Sequence, residues 1–110
     1  MLRIGEDNSI QLTRGDTAYL QVPIYNDVSG EEYEIAEGDT LTLSVKRAVT
    51  DEAYCFQKTL VGSNLFKIEP EDTKSCDFAS YKYDVQLTTA SGDVYTVIEP
   101  SVFKICTEVT

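Results

Sequence analysis

The chain has 110 residues, of which 42% are hydrophobic and 25% are charged, so it is long enough for one domain around a single packed core. Its 19 acidic residues outnumber its 9 basic residues, and the net charge of -10 argues against nucleic-acid binding, which depends on basic side chains. There is no histidine, which excludes catalytic sites built on a serine–histidine or cysteine–histidine pair. We expect residues 1–110 to form one domain.

Alternation of apolar and polar residues is the dominant pattern, and it is typical of strands with one buried face. In chain order, the predicted strands are 10–12, 18–25, 40–46, 54–58, 65–68, 81–88, 94–98 and 103–109. The second, third, sixth and eighth of these alternate most strictly. Pro23 lies inside the second segment and cannot donate a backbone hydrogen bond, which predicts a sheet edge or a bulge there.

Glycine and small polar residues mark the turns between these segments, since they favour the backbone conformations of tight turns. Gly-Asp pairs at 15–16, 38–39 and 92–93 each precede a predicted strand. The sequence Gly-Ser-Asn at 62–64 separates two predicted strands and indicates a hairpin. The best helical signal covers 70–75, where a proline is followed by two acidic residues that suit the positive end of a helix.

Eight short strands with turn residues between them predict an all-β fold, an antiparallel sandwich or a small barrel. A parallel α/β fold is disfavoured because crossover helices are missing. The predicted core consists of apolar members of the strictly alternating segments. These residues are Leu20, Val22, Leu41, Leu43, Val45, Tyr83, Val85, Leu87, Phe103 and Ile105.

The three cysteines, Cys55, Cys76 and Cys106, are an odd number without a Cys-x-x-Cys spacing. The N-terminal residues carry no apolar run of signal-peptide length, and no window approaches the ~20 apolar residues of a membrane span. These features predict synthesis in a cytoplasm and three free thiols, with Cys76 in an exposed loop and the others buried. A bridge between Cys55 and Cys106 stays open, because spacing alone does not exclude it.

No nucleophile motif, phosphate-binding glycine loop or zinc-type cysteine spacing is present, so we predict no enzyme activity, cofactor or metal. We interpret the acidic pairs at 31–32, 51–52 and 69–72 as solvated surface charge. A calcium site at such loops remains an alternative, although no segment matches a calcium-loop motif. Residues 14–16 spell Arg-Gly-Asp, which we interpret as a β-turn rather than an adhesion motif.

Tyrosine is the conspicuous residue type, with seven copies. Tyr81 opens a predicted strand after the short helical turn, and immunoglobulin-like sandwiches place a tyrosine that bonds back to the preceding loop at such a corner. We therefore predict a structural corner at Tyr81. Tyr19, Tyr25 and Tyr95 are candidate interface contacts because tyrosine is favoured at protein interfaces, with ordinary strand formation as the alternative.

An ordered set of segments carries a resemblance to a known family. The segments are TRGDTA (13–18), YEIAEGDTLTLSVK (33–46), IEPEDT (68–73), YKYDVQL (81–87), GDVYTVI (92–98) and FKI (103–105). Together they resemble small β-sandwich proteins of phages and prophages of Gram-positive bacteria. The chain is similar to the N-terminal domain of the phage baseplate upper protein family.

This resemblance implies an antiparallel immunoglobulin-like β-sandwich of about seven to eight short strands. It also implies a non-enzymatic structural or assembly role in a virion, through contacts with other phage structural proteins or with further copies of the chain. We expect synthesis in the bacterial host cytoplasm, with no nucleic-acid or membrane partner. The alternative is a bacterial accessory β-sandwich that binds carbohydrate or calcium.

Overall fold

A computed structural model describes residues 3–4, 7–25 and 28–107, and about half of these residues lie in strands. The elements in chain order are β1 (Arg3–Ile4), β2 (Ile10–Thr13), β3 (Ala18–Gln21), β4 (Thr40–Lys46), β5 (Phe56–Val61), β6 (Leu65–Ile68), α1 (Pro70–Lys74), β7 (Ala79–Thr88) and β8 (Val94–Cys106). The prediction of a mostly β chain with one helical turn is confirmed. The predicted end of the last strand, at Val109, lies outside the described residues.

Six of the strands form one curled sheet in the order β1-β2-β8-β7-β4-β5. All neighbours in this sheet are antiparallel except β2 and β8, which run parallel, with Ile10 opposite Phe103 and Thr13 opposite Cys106. The prediction of a wholly antiparallel fold is therefore wrong at this pair. A parallel pair needs a long connection, and here nearly the whole domain lies between the two strands.

The remaining two strands, β3 and β6, form a small antiparallel sheet of their own. The predicted hairpin at 62–64 is wrong, because this turn carries the chain from β5 in the large sheet to β6 in the small one. Hydrogen bonds at its two ends hold it there. Gly62 donates to the Asp39 carbonyl at 2.9 Å, and the Asn64 carbonyl accepts from the Val22 amide at 2.9 Å.

Three strands differ most from the sequence prediction. β5, predicted at 54–58, spans Phe56–Val61. β3 ends at Gln21, two residues before Pro23, so the proline lies beyond the strand rather than at an edge or bulge within it. The two predicted strands 94–98 and 103–109 merge into the 13-residue β8. Two register shifts against β7 allow this merger, because Ile98 pairs with Val85 while Ser101 pairs with Tyr83.

Buried residues from both sheets form one hydrophobic cluster. All ten predicted core residues belong to it, and each is at most 3% exposed. Phe103 lies near its centre, with its ring centroid 5.7 Å from Phe56 and 5.9 Å from Tyr83 in edge-to-face geometry. The weaker strands β2 and β6 add four fully buried residues, Ile10, Leu12, Phe66 and Ile68.

A disulfide joins Cys55, just before β5, to Cys76, just after α1, with their Cα atoms 5.9 Å apart. The prediction of three free thiols is wrong, as is the placement of Cys76 in an exposed loop, since it is buried. Cys106 is the free cysteine. It does not bridge to Cys55 because β8 lies three strands from β5 in the sheet, a separation of about 14 Å at normal strand spacing.

Candidate functional site

The three candidate interface tyrosines are all exposed, but they lie on different sheets. Tyr19 is in β3 of the small sheet and Tyr25 lies just beyond it, each 61% exposed. Tyr95 is in β8 of the large sheet, opposite Leu87, and is 55% exposed. Lys67 of β6 lies over the Tyr19 ring, with its Nζ atom 6.0 Å from the ring centroid. The large sheet and the small sheet thus each contribute a separate aromatic surface.

The first part of β8 is an open edge of the large sheet. Within the described residues, β7 is the only strand that pairs with residues 94–102, because β2 reaches only 103–106. We call residues 94–98 the β8 edge. It has exposed apolar side chains at Val94 and Tyr95 and contains no lysine or proline of the kind that normally protects an edge strand from pairing. Glu99 and Pro100 follow it directly and limit the open edge to these five residues.

The exposed face of the large sheet carries a shallow groove of about 330 Å³. Its floor consists of three polar residues from each of two neighbouring strands: Thr42, Ser44 and Lys46 of β4, and Lys82, Asp84 and Gln86 of β7. We call this feature the β4–β7 groove. Tyr54, from the loop between β4 and β5, forms part of its wall, and the bulge in β8 contributes Pro100.

Asp84 is the titratable side chain on the exposed face of this groove whose pKa is shifted by its surroundings. Partial burial raises the pKa of the Asp84 carboxyl, and the nearby positive charge of Lys46 lowers it by a smaller amount. No described residue donates a hydrogen bond to this carboxylate. The Nζ atom of Lys46 instead lies 4.8 Å from the centroid of the Tyr54 ring. A carboxylate with a raised pKa in a concave surface is a candidate ligand-binding group.

Sequence reasoning missed this groove because its floor residues are the polar members of ordinary alternating strands. Ser44 faces Asp84 and Thr42 faces Gln86, but only the pairing of β4 with β7 brings them together. A weak signal was available in the sequence. Lys82 and Asp84 lie on the exposed face of β7, whose opposite face supplies much of the core. Packing of the buried face holds the exposed face in position.

The predicted corner tyrosine, Tyr81, is buried at the start of β7. Its hydroxyl donates to the backbone carbonyl of Asp77 at 2.9 Å, in the loop that follows α1. The neighbouring inward residue, Tyr83, is also buried, and its hydroxyl donates to the carbonyl of Asn8 at 2.5 Å. Burial raises the pKa of Tyr83 to about 12. Both phenols thus join β7 to preceding loops and have structural contacts rather than exposed ones.

Asp39 is a buried carboxylate that joins three turns at one end of the large sheet. Its Oδ2 atom accepts from the Tyr33 hydroxyl at 2.5 Å and from the Ala36 amide at 2.9 Å, while Oδ1 accepts from the Ala90 amide at 3.2 Å. The bond from Tyr33 and those from the two amides lower the pKa of Asp39. Both carboxylate oxygens of Asp39 already accept hydrogen bonds from the protein itself, so we assign this residue a structural role.

The acidic pairs of the sequence do not converge on a metal site. Among the described residues, no group of three or more histidine, cysteine, aspartate or glutamate side chains is arranged to hold a metal ion. Asp72, in α1, is used internally, since it accepts from the Glu69 amide at 2.7 Å and from Lys58 Nζ at 2.7 Å. Asp51 caps a turn by accepting from the Ala48 amide at 3.2 Å.

The Arg-Gly-Asp tripeptide forms a turn that is held against the domain. Gly15 has a positive φ of 86°, and its amide donates to Thr73 Oγ1 at 2.9 Å. Asp16 closes the turn through its amide, which donates to the Thr13 carbonyl at 3.1 Å. The Arg14 guanidinium lies 4.3 Å from the centroid of the Phe78 ring. The tripeptide therefore contacts strand, helix and loop residues of its own domain.

A scan against protein-family models finds no match to this chain, and a search of curated proteins likewise finds none. Within residues 3–4, 7–25 and 28–107, no helix is long and apolar enough to cross a membrane.

Proposed function

We propose that the chain is an immunoglobulin-like β-sandwich that serves as a non-enzymatic structural or assembly module of a phage or prophage virion. It acts through protein–protein contacts. The observation that carries this proposal is the β8 edge, where an unprotected strand exposes apolar side chains. The sequence resemblance to the N-terminal domain of the phage baseplate upper protein family supports the virion setting.

Strand order supports the immunoglobulin-like part of the proposal. In a variable-type immunoglobulin domain, one sheet has the order G-F-C-C′ and the other sheet pairs strands B and E. The order β8-β7-β4-β5 matches the first, and the β3–β6 pair matches the second. The Tyr81 bond to Asp77 supports it as well, because it joins the start of the matching F strand to the loop before it. The domain differs in having only two strands in its small sheet.

The partner that fits the β8 edge is an extended segment of another virion protein, added as a further strand. Backbone hydrogen bonds would give affinity, and pockets for alternate side chains would give specificity. The net charge of -10 keeps isolated copies apart and favours a partner whose strand is flanked by basic residues. Tyr95 belongs to this edge, whereas Tyr19 lies in the small sheet and Tyr25 lies just beyond its strand β3, so these two form a separate candidate contact.

The proposal can be tested by capture of purified structural proteins encoded beside this chain, using Tyr95→Ser and, as a matched control, Tyr19→Ser. Both tyrosines are exposed strand residues, so neither change should disturb the core. We expect one neighbouring protein to bind, Tyr95→Ser to weaken the binding and Tyr19→Ser to leave it unchanged. Charge-driven attraction should weaken as salt rises, while backbone pairing should persist. Capture of no structural protein at any salt concentration, or equal loss in both variants, would contradict the proposal.

A further inference from the structure

We infer that the β4–β7 groove is a binding site for a neutral saccharide, held between the Asp84 carboxylate on its floor and the Tyr54 ring on its wall. The groove lies on the exposed face of the large sheet, and its floor does not include the β8 edge. This inference therefore does not depend on the proposed docking function. It specifies which residues of the domain would recognise carbohydrate.

The size and position of the groove suit a small ligand. Its volume of about 330 Å³ is at the lower end of the range for small-molecule sites, which begins near ~300 Å³. The floor is rigid because β4 and β7 pair with each other over seven consecutive positions. Cross-strand contacts fix it further, since Gln57 Nε2 donates to Ser44 Oγ at 2.9 Å. A site built on paired strands is already formed before a ligand binds.

The hydrogen-bonding groups of the floor match the hydroxyls of a sugar. Asp84 offers two acceptor oxygens, and no described residue donates to them. Gln86 offers both a donor and an acceptor, and the Lys82 ammonium offers only donors. Sugar hydroxyls donate and accept at adjacent positions, so they can satisfy a carboxylate and an amide at the same time. The carboxylate oxygens are not fully buried, so a sugar hydroxyl can bind them in place of water.

Tyr54 supplies the apolar contact that a sugar ring also needs. Its side chain is 47% exposed although it is large and aromatic. Lys46 lies over the ring with its Nζ atom 4.8 Å from the centroid, which restrains the ring beside the floor. The C–H face of a sugar can pack against the exposed part of this ring while its hydroxyls reach Asp84.

The charge of the whole chain favours a neutral saccharide over an anionic one, because its net charge is -10. The groove itself is lined by two lysines, Lys46 and Lys82, and by the Asp84 carboxylate in the middle of the floor. Lys46 is already in contact with the Tyr54 ring, which leaves Lys82 as the floor cation without an aromatic or ionic contact among the described residues. A protein strand is a poorer fit, because the floor is polar and residues 40–45 of β4 are already paired on both sides.

The test is a titration of the full ¹⁵N-labelled chain with four neutral disaccharides, namely lactose, maltose, cellobiose and N,N′-diacetylchitobiose, followed by NMR. At least one sugar should give saturable shifts of the amides around Ser44 and Asp84. Asp84→Asn should weaken the binding at least tenfold. Glu99→Gln is the matched control, because it makes the same change of charge on an exposed residue of β8 and should leave affinity unchanged.

Tyr54→Ala keeps the test decisive if Asp84→Asn disturbs the sheet, since Tyr54 lies in a loop and its loss should also reduce affinity tenfold. Two results would overturn the inference. The first is no saturable shift with any of the four sugars, and the second is shifts confined to residues away from the groove.

Discussion

Reduction of the bond between Cys55 and Cys76 should lower the melting temperature of the domain by about 13 °C. The bond closes a loop with a sequence separation of 21 residues, for which loop-closure entropy corresponds to about 3 kcal/mol of stability at 25 °C. A chain of 110 residues has an unfolding entropy of about 0.23 kcal/mol/K near its melting temperature. Dividing the first quantity by the second gives the expected shift.

Calorimetry with and without a phosphine reductant measures this shift directly. The double variant Cys55→Ala, Cys76→Ala should melt near the temperature of the reduced protein and should not respond to reductant. Cys106→Ala is the matched control, because Cys106 is the free cysteine and its variant should keep the full response. Thiol titration of the denatured, non-reduced chain should count one thiol. A count of three, or a melting temperature that reductant leaves unchanged, would refute the reasoning.

Three further predictions concern the core and the buried phenols. Leu43→Ala should cost about 2–5 kcal/mol in urea unfolding because Leu43 is fully buried, while the half-exposed Leu65→Ala should cost much less; equal losses would contradict the assignment of faces. Tyr81→Phe should lower the free energy of unfolding by about 1 kcal/mol, because it removes the hydrogen bond to the preceding loop. An unchanged free energy of unfolding would contradict the structural corner. Burial raises the pKa of Tyr83 to about 12, so the stability that its protonated phenol contributes is complete below pH 10 and is lost as pH rises toward 12. In thermal melts from pH 9 to 12, the melting temperature of Tyr83→Phe should therefore fall less steeply than that of the parent chain.

Local patterns predict the strands well where one face is buried. The alternation around Leu43 and Val85 is strict because β4 and β7 each have one face in the core and one in solvent. Such a pattern assigns a residue to a face without identifying the neighbouring strand. The hairpin expected at 62–64 is wrong for this reason. β5 pairs within the large sheet and β6 pairs within the small sheet, and the alternation in each strand does not identify these partners.

Long-range pairing accounts for the other differences. Nothing near Cys55 or Cys76 in the sequence indicates that β5 and the end of α1 approach each other. The same holds for the candidate site. Asp84 looks like an ordinary exposed strand residue until β4 lies beside β7 and Tyr54 closes one side of the groove.

The parallel pairing of β2 with β8 has a consequence for how the protein is made. Ile10 leaves the ribosome well before its partner Phe103, which lies 93 residues further along the chain. During synthesis the apolar side chains of Ile10 and Leu12 therefore lack the strand that later lies beside them. The large sheet can be completed only after β8 emerges from the ribosome. Contacts of such high sequence separation also place the domain among slow-folding topologies, whose apolar segments stay exposed for longer before they are buried.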